Sequence, residues 1–144
     1  MFGFGKRVKA AKAEVKKFEN RDLMEAMVGG CALVAFADGS CTEEELKKLE
    51  AVLAGTKALE GFGTEVQTTL MNFTNRLRTA YRSGRLEIMR EIADVKNDQR
   101  EKEDVLVAMI TIAEADGDIG EAEMKVLTEV ARALGLNIEQ YLDA

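Results

Sequence analysis

One acidic turn occurs twice in this chain. Residues 35–49 read AFADGSCTEEELKKL, and residues 113–127 read AEADGDIGEAEMKVL. A shift of 78 positions superposes the copies and aligns Asp38 with Asp116, Gly39 with Gly117, Glu45 with Glu123, and Leu49 with Leu127. Each Asp-Gly pair is a natural helix stop, and the acidic residues after it are typical of the first turn of another helix. The repeat therefore predicts two related helical hairpins, which could pack around a pseudo-two-fold axis.

The rest of the chain favours an all-α fold. Its 144 residues include no proline, good helix formers dominate, and there are no β-branched runs. Apolar positions recur at steps of three and four, a pattern that predicts about seven helices with short connections. We expect one domain over residues 1–144, because this length suffices to bury a core. Its basic N-terminal arm, about residues 1–20, should contain a helix from about Lys6 to Phe18.

The sequence also predicts where two consecutive helices meet. A long helix is expected over about residues 64–82, with Tyr81 facing inward. The pair Ser83-Gly84 should break it, because glycine disfavours a helix interior. A shorter helix is then expected over about residues 85–96.

The chain has no histidine and only two cysteines, Cys31 and Cys41. The lack of histidine removes the commonest general base, the Ser–His and Cys–His nucleophile pairs, and the usual zinc ligand. The two cysteines form neither a CxxC site nor a disulfide framework. Cys31 lies in the longest uncharged stretch, residues 26–37, which is too short to cross a bilayer. We therefore predict a buried core helix there, with Cys31 as a small core residue.

Charge is distributed unevenly along the chain. Residues 1–22 carry seven Lys/Arg and three acidic residues, a net charge of +4, whereas the whole chain carries −6. The acidic remainder argues against nucleic acid as a partner. The basic arm could fold back on this acidic body, or residues 1–20 could make a peripheral contact with an anionic membrane surface.

The two acidic turns contain the candidate metal ligands. In each copy the Asp lies just past a helix end, and a Glu seven positions later lies in the first turn of the next helix. If the hairpins face each other, five carboxylates could converge, those of Asp38, Glu45, Asp116, Asp118 and Glu123. Carboxylate oxygens suit hard divalent cations such as calcium, magnesium or manganese. The spacing is not that of an EF-hand, because the twelfth position counted from Asp116 is Leu127.

A structural interpretation of the same acids is also open. Asp-Gly is common turn chemistry, and Glu45 completes a T-x-x-E capping box with Thr42. Glu123 has the same place in the second copy. The neighbouring acids Glu43, Glu44 and Glu121 are expected to be solvated surface charge.

The repeated ADGxxxxxE hairpin, the seven-helix pattern and the basic lead-in MFGFGKRVKAAKAEVKKF resemble the TerB tellurite-resistance family over nearly the whole chain. The resemblance implies an all-helical, non-catalytic domain with a divalent-metal site, whose characteristic acids would be Asp38, Glu45, Asp116 and Glu123. It also implies a cytoplasmic role in tellurite and general stress resistance, together with a membrane-protein partner at the inner membrane face. The first copy has Ser40 where the second has Asp118, so the two halves need not bind a cation equally.

Two other functions stay open from the sequence. A membrane-surface adaptor without a metal would use the basic arm. A metal-dependent enzyme would use the paired carboxylates with a metal-bound water, although the chain has no phosphate-loop motif and no activated nucleophile.

Overall fold

The computed structural model of this chain describes residues 20–95, 97–115 and 117–142. These residues form seven α-helices and one short 3-10 turn (Lys57–Leu59), and none of them lies in a β-strand. In chain order the helices are α1 (Arg21–Ala35), α2 (Glu43–Ala54), α3 (Thr64–Thr79), α4 (Tyr81–Ala93), α5 (Gln99–Glu114), α6 (Glu121–Leu134) and α7 (Glu139–Leu142). The predicted all-α fold with about seven helices is confirmed. The helix predicted for the basic arm falls on residues 1–19, outside the described residues.

Helix α1 lies at the centre of the fold. Eleven of its 15 residues are buried, as the uncharged stretch 26–37 predicted. Helices α3, α4 and α5 pack most closely on it. Two glycines permit this approach: a Cβ on Gly29 would lie 2.9 Å from Ile88 of α4, and one on Gly30 would lie 2.7 Å from Met109 of α5. The small residues of α1 therefore set how closely its neighbours can pack.

The two predicted hairpins correspond to α1–α2 and α5–α6. The helices of each hairpin pack on each other, and α1 also packs on both helices of the second hairpin. The buried apolar side chains form one core cluster to which α1 to α6 all contribute. This arrangement brings the two acidic turns to the same part of the fold. The pseudo-two-fold axis stays a prediction.

The predicted junction between α3 and α4 was wrong. The break lies at Ala80, whose backbone is not helical (φ −150°, ψ 80°), and α4 runs through Ser83 and Gly84 without interruption. Gly84 is buried, and a Cβ there would lie 3.1 Å from backbone atoms of Arg76 and Leu77. Glycine is therefore needed at this position for close helix packing, not for a helix stop.

The shifted junction also changes which side chains face the core. Tyr81, predicted to face inward, is 37% exposed at the start of α4. The buried positions of α4 are Gly84, Ile88 and Ile92, spaced four residues apart on one face of the helix. The close approach at Gly84 thus fixes the face that α4 buries.

Cys31 is fully buried in the core, as predicted. Burial raises the pKa of its thiol to about 12, because the interior disfavours the thiolate. Cys41 is half-buried and packs against the edge of the core, as does Ile119 at the matching position of the second copy. Both positions therefore serve as apolar contacts beside the acidic turns.

Candidate functional site

The first acidic turn connects α1 to α2. Gly39 adopts a positive φ of 96°, which glycine tolerates without strain, and its N–H donates to the carbonyl of Phe36 at 2.9 Å. Asp38 Oδ1 accepts a hydrogen bond from the backbone N–H of Ser40 at 3.2 Å. One carboxylate oxygen of Asp38 therefore shapes the turn, while the side chain stands exposed at its surface.

Thr42 caps the helix that follows this turn. Its Oγ1 accepts a hydrogen bond from the Glu45 N–H at 3.2 Å and donates one to Glu45 Oε1 at 3.1 Å. The first bond confirms the predicted N-cap. The second differs from a capping box, in which the Glu side chain would accept from the N–H of the cap residue. The bond to Thr42 fixes Glu45 in the first turn of α2.

The second acidic turn connects α5 to α6. Gly117 adopts a φ of 118°, and its N–H donates to the carbonyl of Glu114 at 3.0 Å, as in the first copy. Glu123 Oε1 accepts from the N–H of Gly120 at 2.9 Å. Because Gly120 has no side chain, only this half of a capping box can form. Asp116, the aspartate of this turn, lies outside the described residues.

The two acidic turns line one cavity of about 430 Å³ between the hairpins. Asp38 and Glu45 border it from the first hairpin, and Glu123 borders it from the second. Its apolar walls come from both hairpins, namely Val34, Ala35, Ala37, Leu49, Val52, Ile112, Ala115 and Ala122. Three predicted ligands, separated by up to 85 positions in the chain, thus share one site.

Two further charged residues border this cavity. Glu121, which the sequence assigned to solvated surface charge, is exposed and also lines it. Lys48 lines it from α2 and was not singled out from the sequence. Lys48 lies three residues after Glu45, so the two side chains share one helix face. This spacing is the sequence signal that points to Lys48. Asp118 is exposed and does not line the cavity, in contrast to the other described candidates.

The described acids around the cavity are more widely spaced than the ligands of a single cation. Among the described residues, Asp38, Glu45 and Glu123 do not form a group whose carboxylate oxygens all lie within 4.8 Å of one another. A cation in the cavity would therefore need side-chain movement or water ligands to contact all three. Divalent cations accept water readily as part of their coordination shell.

A tighter acidic cluster lies elsewhere, where the start of α1 meets the end of α4. Asp22, Glu91 and Asp94 each place a carboxylate oxygen within 4.8 Å of the others, a spacing that could hold a divalent cation. Burial raises the pKa of Glu91 to about 7, and a hydrogen bond with Glu25 and the charges of Glu25, Asp94 and Asp22 act in the same direction. A shared proton can thus relieve the repulsion in this cluster without a metal.

The sequence did not indicate the Asp22, Glu91 and Asp94 cluster. Its members come from segments far apart in the chain, since 69 positions separate Asp22 from Glu91. The only local signal is that each helix contributes a pair of acids three residues apart on one face. Such pairs are common on solvated helices, so they do not indicate a site by themselves.

None of the described helices is both long enough and apolar enough to span a lipid bilayer.

The described residues form an all-helical domain in which two related acidic hairpins border a shared cavity. Comparison with protein families gives a match over residues 9–144 to the family described as Tellurite resistance protein TerB. The chain therefore belongs to the TerB family and is a tellurite-resistance-related domain. No curated protein and no solved structure shows a significant match.

Proposed function

We propose that this chain is a non-catalytic tellurite- and stress-resistance protein that binds a divalent cation in the cavity between its two acidic hairpins. The observation that carries the proposal is that Asp38 and Glu45 of the first hairpin and Glu123 of the second line one cavity. Carboxylates gathered in one cavity repel one another unless a cation or protons neutralise them. Calcium, magnesium and manganese are the candidate ions, because all three prefer oxygen ligands.

The residues of the cavity fit such an ion by their chemistry. Each of the three carboxylates uses one oxygen in a local hydrogen bond that fixes its position, to Ser40, Thr42 or Gly120. A carboxylate can accept at both oxygens, so these bonds orient the ligands without excluding a cation. Asp116 is proposed as a further ligand because it is equivalent to Asp38 in the repeat. Asp118 is proposed as a ligand at the edge of the site, since it does not line the cavity.

A cation bound by both hairpins would act as a crosslink between α1–α2 and α5–α6. It would stabilise the native arrangement of the hairpins, because the unfolded chain has no such site. The protein would then work as a scaffold or sensor whose surface depends on the cation. This role needs no chemical step and therefore no catalytic residue.

The thermal unfolding midpoint of the full chain, measured against calcium, magnesium and manganese concentration, tests this proposal. A bound cation should raise the midpoint progressively once its concentration exceeds Kd. The stabilisation should reach about 2.7 kcal/mol at a concentration 100-fold above Kd. Asp38→Asn should weaken the effect, and Asp38→Asn combined with Asp116→Asn should abolish it. Asp94→Asn, outside the cavity, is the matched control and should leave it intact. If none of the three ions at millimolar concentration moves the wild-type midpoint, the proposal is wrong.

We further propose that the protein acts at the cytoplasmic face of the membrane with a membrane-protein partner of the tellurite-resistance system. Family membership and the net charge of +4 in residues 1–22 support this location. Co-sedimentation with vesicles containing anionic lipid tests the contribution of the arm. Deletion of residues 1–20 should reduce pelleting, and equal pelleting of the deletion variant would reject the arm as the attachment site.

A further inference from the structure

Arg78 reaches the first acidic turn from outside the hairpin that contains it. It lies near the end of α3, and its guanidinium carbon is 5.7 Å from the centroid of the Phe36 ring. Its Nη2 donates to the carbonyl of Cys41 at 3.4 Å and lies 4.0 Å from Glu43 Oε1. These contacts fall on both sides of Asp38: Phe36 precedes it by two residues, and Cys41 follows it by three.

The contacts of Arg78 join the exposed turn to the core. Phe36 is only 2% exposed, so its ring is held in place by packing. Asp38, Gly39 and Ser40 are exposed, and the bonds among them are local ones. A planar guanidinium can stack on an aromatic face and donate to a carbonyl at the same time, which a lysine ammonium cannot do equally well.

We infer that Arg78 is a positioning residue that orders the first acidic turn and so holds Asp38 at the cavity. Arg78 itself does not line the cavity and is therefore not a ligand. An ordered turn loses less conformational entropy when an ion binds, so preorganisation raises affinity. As a statement about cation binding, the inference rests on the proposed function. As a statement about the order of the turn, it can be tested without a cation.

The sign of the effect separates positioning from simple electrostatics. A positive charge near an acidic cation site repels the cation, so its removal alone should tighten binding. Loss of positioning should instead weaken binding. Arg78→Gln removes both the positive charge and the planar guanidinium. Arg78→Lys keeps the positive charge but loses the planar guanidinium. Positioning predicts weaker binding in both variants, and electrostatics alone predicts tighter binding in Arg78→Gln and no change in Arg78→Lys.

The experiment measures two quantities on the full chain. Calorimetric titration with manganese gives cation affinity, and hydrogen exchange in EDTA gives the order of the turn at Gly39, Ser40 and Cys41. We expect both Arg78 variants to bind manganese about five- to tenfold more weakly, a change of about 1–1.4 kcal/mol. We also expect faster amide exchange confined to the turn. Arg76→Gln is the matched control, because Arg76 is on the same helix but pairs with Glu87 of α4.

The outcomes distinguish this inference from the proposed function. If the wild type binds manganese and the Arg78 variants bind it equally or more tightly, the positioning role is wrong while the cation site stands. If the wild type binds no manganese, the cation site is wrong, and the exchange data decide whether Arg78 orders the turn. Unchanged exchange at residues 39–41 in both Arg78 variants would overturn the inference in either case.

Discussion

The acidic cluster between α1 and α4 should make the stability of this protein depend on pH. Glu91 is half-buried and shares a hydrogen bond with Glu25, and burial together with the nearby acids raises its pKa from the ordinary 4.5 to about 7. Folded protein therefore holds this proton more tightly than unfolded protein. The resulting stability is fully present below about pH 4.5 and is lost as pH rises through about 7.

The size of this effect follows from the pKa of Glu91. A rise from 4.5 to about 7 corresponds to about 3 kcal/mol, at about 1.36 kcal/mol for each tenfold change in proton affinity. Because Glu91 is only half-buried, water screens the charges around it, and we reduce the expected effect to about 1–2 kcal/mol. Burial and nearby acids also raise the pKa values of Glu101 and Asp104 on α5, so their contributions have the same sign.

Glu91→Gln mimics the protonated side chain at every pH. In urea unfolding with EDTA present, the variant should be more stable than the wild type by about 1–2 kcal/mol at pH 8. At pH 5 the difference should shrink to roughly half of that value, because Glu91 of the folded wild type is then largely protonated. Glu44→Gln, an exposed position on α2, is the control and should show no such pH-dependent difference. Equal pH dependence in Glu91→Gln and the wild type would refute the argument.

Three further predictions concern the packing and capping that hold the hairpins, and urea unfolding checks each of them. Gly84→Ala should destabilise by about 1–3 kcal/mol, because its Cβ would press on the backbone of α3, whereas Ser83→Ala should be nearly neutral. A stabilised Gly84→Ala variant would contradict the close packing. Thr42→Ala should cost about 1 kcal/mol through the lost N-cap of α2, and an unchanged midpoint would rule that cap out. Met24→Ala, fully buried in α1, should cost about 2–5 kcal/mol. Met71 is 55% exposed, so Met71→Ala should change the free energy of unfolding by less than about 0.5 kcal/mol. Equal losses in Met24→Ala and Met71→Ala would contradict the central position of α1.

Local chemistry made part of this fold predictable. The Thr42 cap and the positive φ at Gly39 and Gly117 follow from interactions among residues close in sequence. The burial of most of the stretch 26–37 follows from its uncharged, largely apolar composition. The break between α3 and α4 at Ala80 could not be predicted from residues close in sequence. Gly84 has a low helix propensity, but it lies inside α4 because α3 packs against it there. Propensity describes the cost of a glycine in a helix and does not show what lies on the other side of it.

The same distinction applies to the candidate site. The repeat identified Asp38, Glu45 and Glu123 as a set, because both copies of the turn have the same pattern. It did not identify the pair Glu25 and Glu91, whose proximity depends on how α1 and α4 pack. A repeat shows which residues are equivalent, whereas only the packed structure shows which unrelated residues meet.

The location of a bound cation is the most direct test of a metal site between the two acidic hairpins. Manganese broadens the NMR signals of nearby amides, so a titration of ¹⁵N-labelled full chain at substoichiometric manganese maps the site. We expect amides of both turns, including Gly39, Ser40 and Gly120, to broaden together. Asp38→Asn should reduce this broadening. Broadening centred on Asp22 and Asp94, or no localised broadening at all, would contradict a cation site between the two acidic hairpins.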